Sequence, residues 1–190
     1  MTEATTRDYN GIKIPLSGTY DIDKAHTTVE FVARHLMITK VRGRFAKFDG
    51  SIVIADDPLA SSVDVTIDAS SISTGEDQRD GHLRSADFLE VDKYPEITYK
   101  GTSVEIKPDG TGAIHGGLTI KGTTKPVDLQ LEFEGAGNTP MGDYRAGFSA
   151  TTEIDRELFG LTWNQVLEGG GVMVGKKIKL EINVEAIRRS

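Results

Sequence analysis

The strongest constraint on the fold is an alternation near the end of the chain. Ile178, Leu180, Ile182 and Val184 alternate with Lys179, Glu181, Asn183 and Glu185. A period of two belongs to a β-strand, whose successive side chains point to opposite faces. One face is dry and the other wet. The pattern recurs at 124–134, where Val127, Leu129, Leu131 and Phe133 oppose Asp128, Gln130, Glu132 and Glu134. It recurs again at 62–69, with Val63, Val65 and Ile67 against Asp64, Thr66 and Asp68. Along 144–154, Tyr144, Ala146, Phe148, Ala150, Thr152 and Ile154 share a face. One-sided strands joined by short turns imply antiparallel pairing. A sheet of this length must close or split into layers, and closure removes the open edges. The expected fold is mainly all-β: a closed antiparallel barrel of about eight strands.

The remaining strands are read at 18–23, 27–36, 42–55 and 96–106. In 42–55, Phe48, Ile52 and Ile54 are in phase. Residues 37–40 are read as a turn of helix. In 96–106 the phase slips between Ile97, Tyr99 and Val104, Ile106, with Gly101 at the slip, which predicts a β-bulge. Pro58 and Pro108-Asp109-Gly110 mark turns. Lys121-Gly122-Thr123 joins 113–121 to 124–134 as a hairpin. Residues 135–142 are read as a loop, and 157–168 as a short helix or loop. Residues 1–16 are expected to be a flexible arm, with the barrel domain at 17–190.

Residues 74–95, TGEDQRDGHLRSADFLEVDKYP, do not alternate. Thr74 is expected to cap a helix, with Asp77 at its positive end. Leu83 with Ala86 or Phe88 gives an apolar stripe, and Pro95 ends the segment. The expected element is a short helix across one barrel end, holding Arg79, Asp80, His82 and Arg84 near its mouth.

The chain of 190 residues carries a formal net charge of −7 and no cysteine. The charge argues against nucleic-acid binding, whose footprint is basic. The missing thiols exclude disulfides and thiolate metal sites. No run approaches a membrane span. The first residues lack an apolar leader core, so a cytoplasmic location is expected. No pair among His26, His35, His82 and His115 has zinc-site spacing, so neither metal nor cofactor is expected. There is no G-x-S-x-G. Gly170 to Lys176 matches the glycine spacing of a P-loop, but Lys177 replaces the magnesium-binding hydroxyl and the segment leads into a strand. Phe159, Leu161 and Trp163 are read as a plug for one barrel end, with an exposed lid or membrane-touching loop as the alternative.

Several blocks, in order, match a known family. They are Tyr20-Asp21-Ile22-Asp23 followed by His26, then TTVEFVARHLM, VRGRFAKFDGSI, STGEDQRDGHLRSADFLEVDKYPEITY, GGLTIKGTTKPVDL, and RELFGL at 156–161. On these blocks the chain resembles the YceI-like family of polyisoprenoid-binding proteins. RDGHLRSADFL and LTIKGTTKPV are the most specific. The resemblance covers nearly all of the chain from Gly18. It implies a lipocalin-like barrel whose elongated apolar interior takes a long isoprenoid or related amphiphilic lipid. It implies no established catalytic residue. Many members carry a leader for the periplasm, and that location is not carried over here.

The inward positions expected to line the cavity are Val29, Phe31, Ala33, His35, Ala146, Phe148 and Ala150. The alanines beside aromatics either leave room for a ligand or fit the barrel's taper. His35 on this apolar face is read either as a satisfied core histidine or as a ligand contact. Arg79, His82 and Arg84 are the expected mouth, with Arg34 and His35 next, since a guanidinium suits an anionic head group. The competing reading is that the cluster only braces the helix. The expected function is non-enzymatic binding, storage or transport of a lipid. The alternatives are an enzyme on a lipid-like substrate, using Arg79, Asp80 and His82 for acid–base chemistry, and a filled-core protein acting through its surface. A homodimer is compatible with the sequence, which does not decide oligomeric state.

Overall fold

The alternating segments form strands that close on themselves. The computed structural model describes residues 5–168 and 170–189. The barrel is built from Gly18–Ile22 (β3), Thr28–His35 (β4), Thr39–Phe45 (β5), Phe48–Ile54 (β6), Ser62–Asp68 (β7), Ile72–Ser73 (β8), Glu96–Ile106 (β9), Gly112–Ile120 (β10), Thr123–Asn138 (β11), Tyr144–Asp155 (β12) and Val174–Arg188 (β13). The first six of these are halves of three bent staves: β3 with β4, β5 with β6, and β7 with β8. Eight staves therefore run up and down in chain order, and β13 closes the cylinder against both β12 and the β3–β4 stave. All pairings are antiparallel. The result is the expected closed antiparallel barrel.

Local departures from the sequence reading have local causes. Residues 42–55 are not one strand. The stave breaks at Ala46–Lys47, where Lys47 accepts a hydrogen bond from Asp68 N at 2.9 Å and Ala46 donates to Ser71 O at 3.2 Å. This bend lets β5 pair with β4 and β8 while β6 pairs with β3 and β7. Residues 37–40 are not helical. Leu36 and Met37 both have positive φ, 53° and 58°, making a tight hairpin turn whose twist suits antiparallel strands. The loop read at 135–142 is shorter, because β11 bulges at Gly135 and continues to Asn138. The bulge read at Gly101 is present, between pairs Ser103–His115 and Gly101–Gly116. A Cβ at Gly101 would lie 2.5 Å from Ile114 Cγ2, so glycine is required there.

Within residues 1–16, Arg7–Tyr9 (β1) and Ile12–Ile14 (β2) form a hairpin around Asn10-Gly11, with φ of 52° and 83°. Asn-Gly is a strong two-residue turn signal, and it sets this hairpin although each strand is only three residues long. The first four residues of that arm lie outside the described residues.

The helix is Asp77–Arg84 (α1), and its N-cap is Glu76, whose carboxylate accepts from Gln78 N. Thr74 does not cap it. Instead Asp80, only 4% exposed, accepts from Thr74 N at 2.8 Å and Thr74 Oγ1 at 2.6 Å. The helix's own carboxylate thus ties back the chain that leads into it. Phe88 and Leu89 follow the helix and are buried, whereas Ala86 is exposed.

Two apolar clusters divide the interior. The larger runs through the barrel towards α1 and includes Phe48, Ile97, Leu118 and Phe159. The smaller closes the opposite end with Tyr20, Ile54, Tyr144, Ala146 and Ala186. Its tyrosine hydroxyls are satisfied: Tyr20 donates to Leu16 O and Tyr144 to Thr5 O, both at 2.6 Å.

Candidate functional site

The barrel encloses a cavity of about 270 Å³. Its wall is almost wholly apolar and draws on every stave, with Leu83 from α1 and Phe88, Leu89 and Leu161 from the segments capping that end. Alternation produces this lining, since each strand turns its apolar face inward.

Of the positions expected to line it, Val29, Phe31, Ala33, Phe148 and Ala150 border the cavity. His35 and Ala146 do not. Both are in phase with lining residues, but their height along the barrel places them beyond the lumen. His35 ends β4, opposite Thr39 and Val174. Ala146 is 1% exposed within the closing cluster of the far end.

Two glycines explain how bulky lining side chains leave a lumen. A Cβ at Gly43 would fall 2.2 Å from Phe31 Cζ, so the Phe31 ring lies flat on the opposite strand rather than across the lumen. A Cβ at Gly116 would fall 2.8 Å from Tyr99 Cζ, so the Tyr99 ring is likewise pressed to the wall. The single Tyr99 O–H proton is shared between Val127 O at 3.0 Å and Ile114 O at 3.2 Å. Burial pushes this phenol up to about 12, so it stays protonated and neutral.

Arg79, His82 and Arg84 sit beside the cap and do not border the cavity. Arg79 donates to Thr74 Oγ1 at 2.7 Å and Thr74 O at 3.1 Å. Arg84 donates to Ser70 O at 2.8 Å and Ile72 O at 2.7 Å. His82 Nε2 pairs with Asp87 at 2.9 Å, and its ring meets Phe88 and Trp163 edge-on at 5.1 and 4.6 Å. These bonds hold the helix and its approach to the end of β8. Burial opposes ionisation of Asp80, but the bonds from Thr74 and Ser73 and the Arg84 charge outweigh it and lower its pKa.

The ionised group most deeply placed in the wall is Arg156, which the sequence reading did not single out. It is 3% exposed and borders the cavity. Its guanidinium donates to backbone carbonyls: Gly175 O at 3.0 Å, Trp163 O at 3.0 Å, Leu161 O and, weakly, Val174 O at 3.4 Å. Desolvation by burial lowers its pKa. The Phe88 ring lies 5.9 Å away. Arg156 thus clamps the capping segment 161–163 to the first residues of β13. The available signal was its place at the head of RELFGL, in a segment where alternation fails.

One cluster brings together groups distant in sequence. Asp23, His26 and Glu185 present oxygen and nitrogen atoms within 4.8 Å of one another. Arg145 Nη1 already sits between the carboxylates, 2.7 Å from Asp23 and 2.5 Å from Glu185. A guanidinium therefore occupies the place a cation would take, and the group serves as an ion-pair network. It spans the bend between β3 and β4, where Thr27 also bonds the Glu185 backbone in both directions.

A closed antiparallel barrel with an apolar lumen and a short capping helix defines a lipocalin-like fold. A model described as YceI-like domain matches residues 20–186, and the chain belongs to the YceI-like family. A UPF0312 protein of Staphylococcus aureus is 39% identical over 168 residues, covering 87% of this chain and 95% of its own. The crystal structure of Burkholderia cenocepacia BcnA superposes with a TM-score of 0.76 at 20% identity, covering 87% of this chain and 99% of its own. A polyisoprenoid binding domain from Saccharophagus degradans, implicated in plant cell wall breakdown, gives a TM-score of 0.69 at 16% identity, covering 90% and 98%. At these identities the two structures share the fold with this chain. No helix among the described residues is long and apolar enough to cross a membrane.

Proposed function

We propose that this protein binds the chain of a polyisoprenoid or related amphiphilic lipid inside its barrel, storing or carrying it without chemical change. The observation that carries the reading is the apolar lumen, open enough to hold about 270 Å³. Taking a methylene as close to a water molecule, about 30 Å³, that volume holds about nine chain carbons. At about 0.8 kcal/mol for each buried methylene, they contribute about 7 kcal/mol before the costs of association. A tail segment therefore binds without a dedicated polar contact. A longer chain must leave its remainder at the capped end or push the wall outward.

The non-enzymatic part of the reading is supported by the placement of Arg79, Asp80 and His82. Their polar atoms are engaged with Thr74 and Asp87, and none borders the cavity. Mass spectrometry of the intact protein under native conditions, with solvent extraction of the same sample, tests the binding. Adducts with the masses of prenyl or acyl lipids are expected, in the fresh protein or after adding a soluble prenyl alcohol. Absence of any adduct in both conditions contradicts the reading.

A further inference from the structure

We infer that the rim of the barrel beside the cap docks on an anionic lipid bilayer. The inference rests on the lipid-binding reading above, and names the surface from which the cavity is filled. Three segments meet at this rim. The β4–β5 turn donates from Leu36 N to Met173 O at 2.8 Å, and Met173 N donates to Gln165 O at 2.9 Å. Val166 bridges to Val172. The turn and residues 165–166 are thereby fixed on either side of residues 172–173. From this platform Met37, Ile38 and Val166 project into solvent at 55%, 79% and 78% exposure.

Met37 and Ile38 are large apolar side chains at the tip of the β4–β5 turn, and Val166 stands on the outer side of the bridged loop beside them, where no barrel packing holds them. Tips that stand out from the surface suit a fluid acyl layer, which closes around them. A protein partner would need a matching concave face. The charge beside them agrees. Arg34 and Lys40 are cross-strand partners directly below the turn, both exposed, and neither is in an ion pair among the described residues. Glu157 and Glu153 are already matched by Lys176 and Lys177, and Glu168, exposed in the 166–172 loop and in no ion pair among the described residues, offsets one of the two cations. Two cations against one acid leave this edge net basic on a chain whose net charge is −7, which directs the edge to an anionic surface. The rim is also continuous with the cavity. His35, the last residue before the turn, pairs with Val174, and Val174 and Ala33 both border the lumen. A tail leaving the bilayer at this rim meets the wall within a few residues.

The test is sedimentation of the full chain with vesicles of phosphatidylcholine, alone or mixed with phosphatidylglycerol. Uptake of a soluble prenyl alcohol is measured separately without vesicles. The parent is expected to partition into mixed vesicles, and less so as salt is raised. The Met37→Ser/Ile38→Ser double variant should lose at least about tenfold in partition, since two large apolar groups no longer insert. Its uptake of the soluble alcohol should be unchanged. The Arg34→Glu/Lys40→Glu variant should lose the preference for anionic vesicles. Parent protein that takes up the alcohol but ignores both vesicles overturns the docking and leaves the carrier reading standing. No uptake by the parent overturns the carrier reading, and the docking with it. A parent dimer in sedimentation equilibrium that the Met37→Ser/Ile38→Ser variant dissolves assigns the rim to a second copy and overturns the inference.

Discussion

Ala150→Trp asks whether the lumen is where the ligand goes. Ala150 faces inward between Leu131 and Ile182 on the neighbouring strands. On β12 it lies between the lining residues Phe148 and Ile154. An indole there projects into the lumen part-way along. If it excludes about half of the nine or so carbons the cavity holds, about four methylenes lose their burial. At about 0.8 kcal/mol each that is about 3 kcal/mol, or about a 200-fold rise in Kd. Overpacking costs about 1–3 kcal/mol in a filled core, and existing empty space moderates this, so the fold should survive. The assay is calorimetric titration with a soluble prenyl alcohol, alongside thermal melting. Glu153→Trp is the control, because Glu153 is exposed on the outer face and its ion pair with Lys177 is a surface pair. A Kd for Ala150→Trp within threefold of the parent, with a cooperative melt, refutes the assignment of the lumen as the site.

Arg156→Ala should destabilise the cap, because each buried carbonyl left without a donor costs about 1–3 kcal/mol. A loss of about 3 kcal/mol or more is expected in urea unfolding, with a red shift of Trp163, the chain's single tryptophan. Gly43→Ala should shift the Phe31 ring, since the new Cβ falls at 2.2 Å from it; a crystal structure should show the ring moved into the lumen and tail uptake reduced. Asp80→Asn probes the tie between α1 and Thr74. Folding lowers the Asp80 pKa below its ordinary 3.8, so its stabilisation is complete above that pH and is lost as pH falls through the lower folded value. The stability gap between parent and Asp80→Asn should therefore be constant near neutrality and narrow below about pH 3.8 in acid titrations followed by circular dichroism; a gap that does not vary with pH contradicts the assignment.

How far the sequence speaks is clearest in β12 and β13. Alternation along them identified the strands and gave the inward phase of Phe148, Ala150 and Ile182, because side-chain direction in a strand is a local property. Closure was legible for a related reason: strands dry on one face only need a common interior. The bulge at Gly101 was legible because a slip in phase has no other local remedy. What alternation cannot report is height along the barrel. Ala146 and Ala150 share a face, yet one is sealed within the Tyr20–Tyr144 cluster and the other borders the lumen. That difference depends on stagger between staves that are far apart in the chain.

The chain's own order of residues thus decided that there would be a cylinder, dry within, with a charged insert after its third stave. Only the folded molecule decided that the insert's arginines hold backbone rather than face the lumen, and that Arg156 sits in the wall. Carbonyls of Leu161, Trp163 and Gly175 meet one guanidinium only once that end of the barrel is capped. A guanidinium shows in the sequence as a charge. Its partners are fixed by which backbone oxygens the fold leaves without a donor of their own.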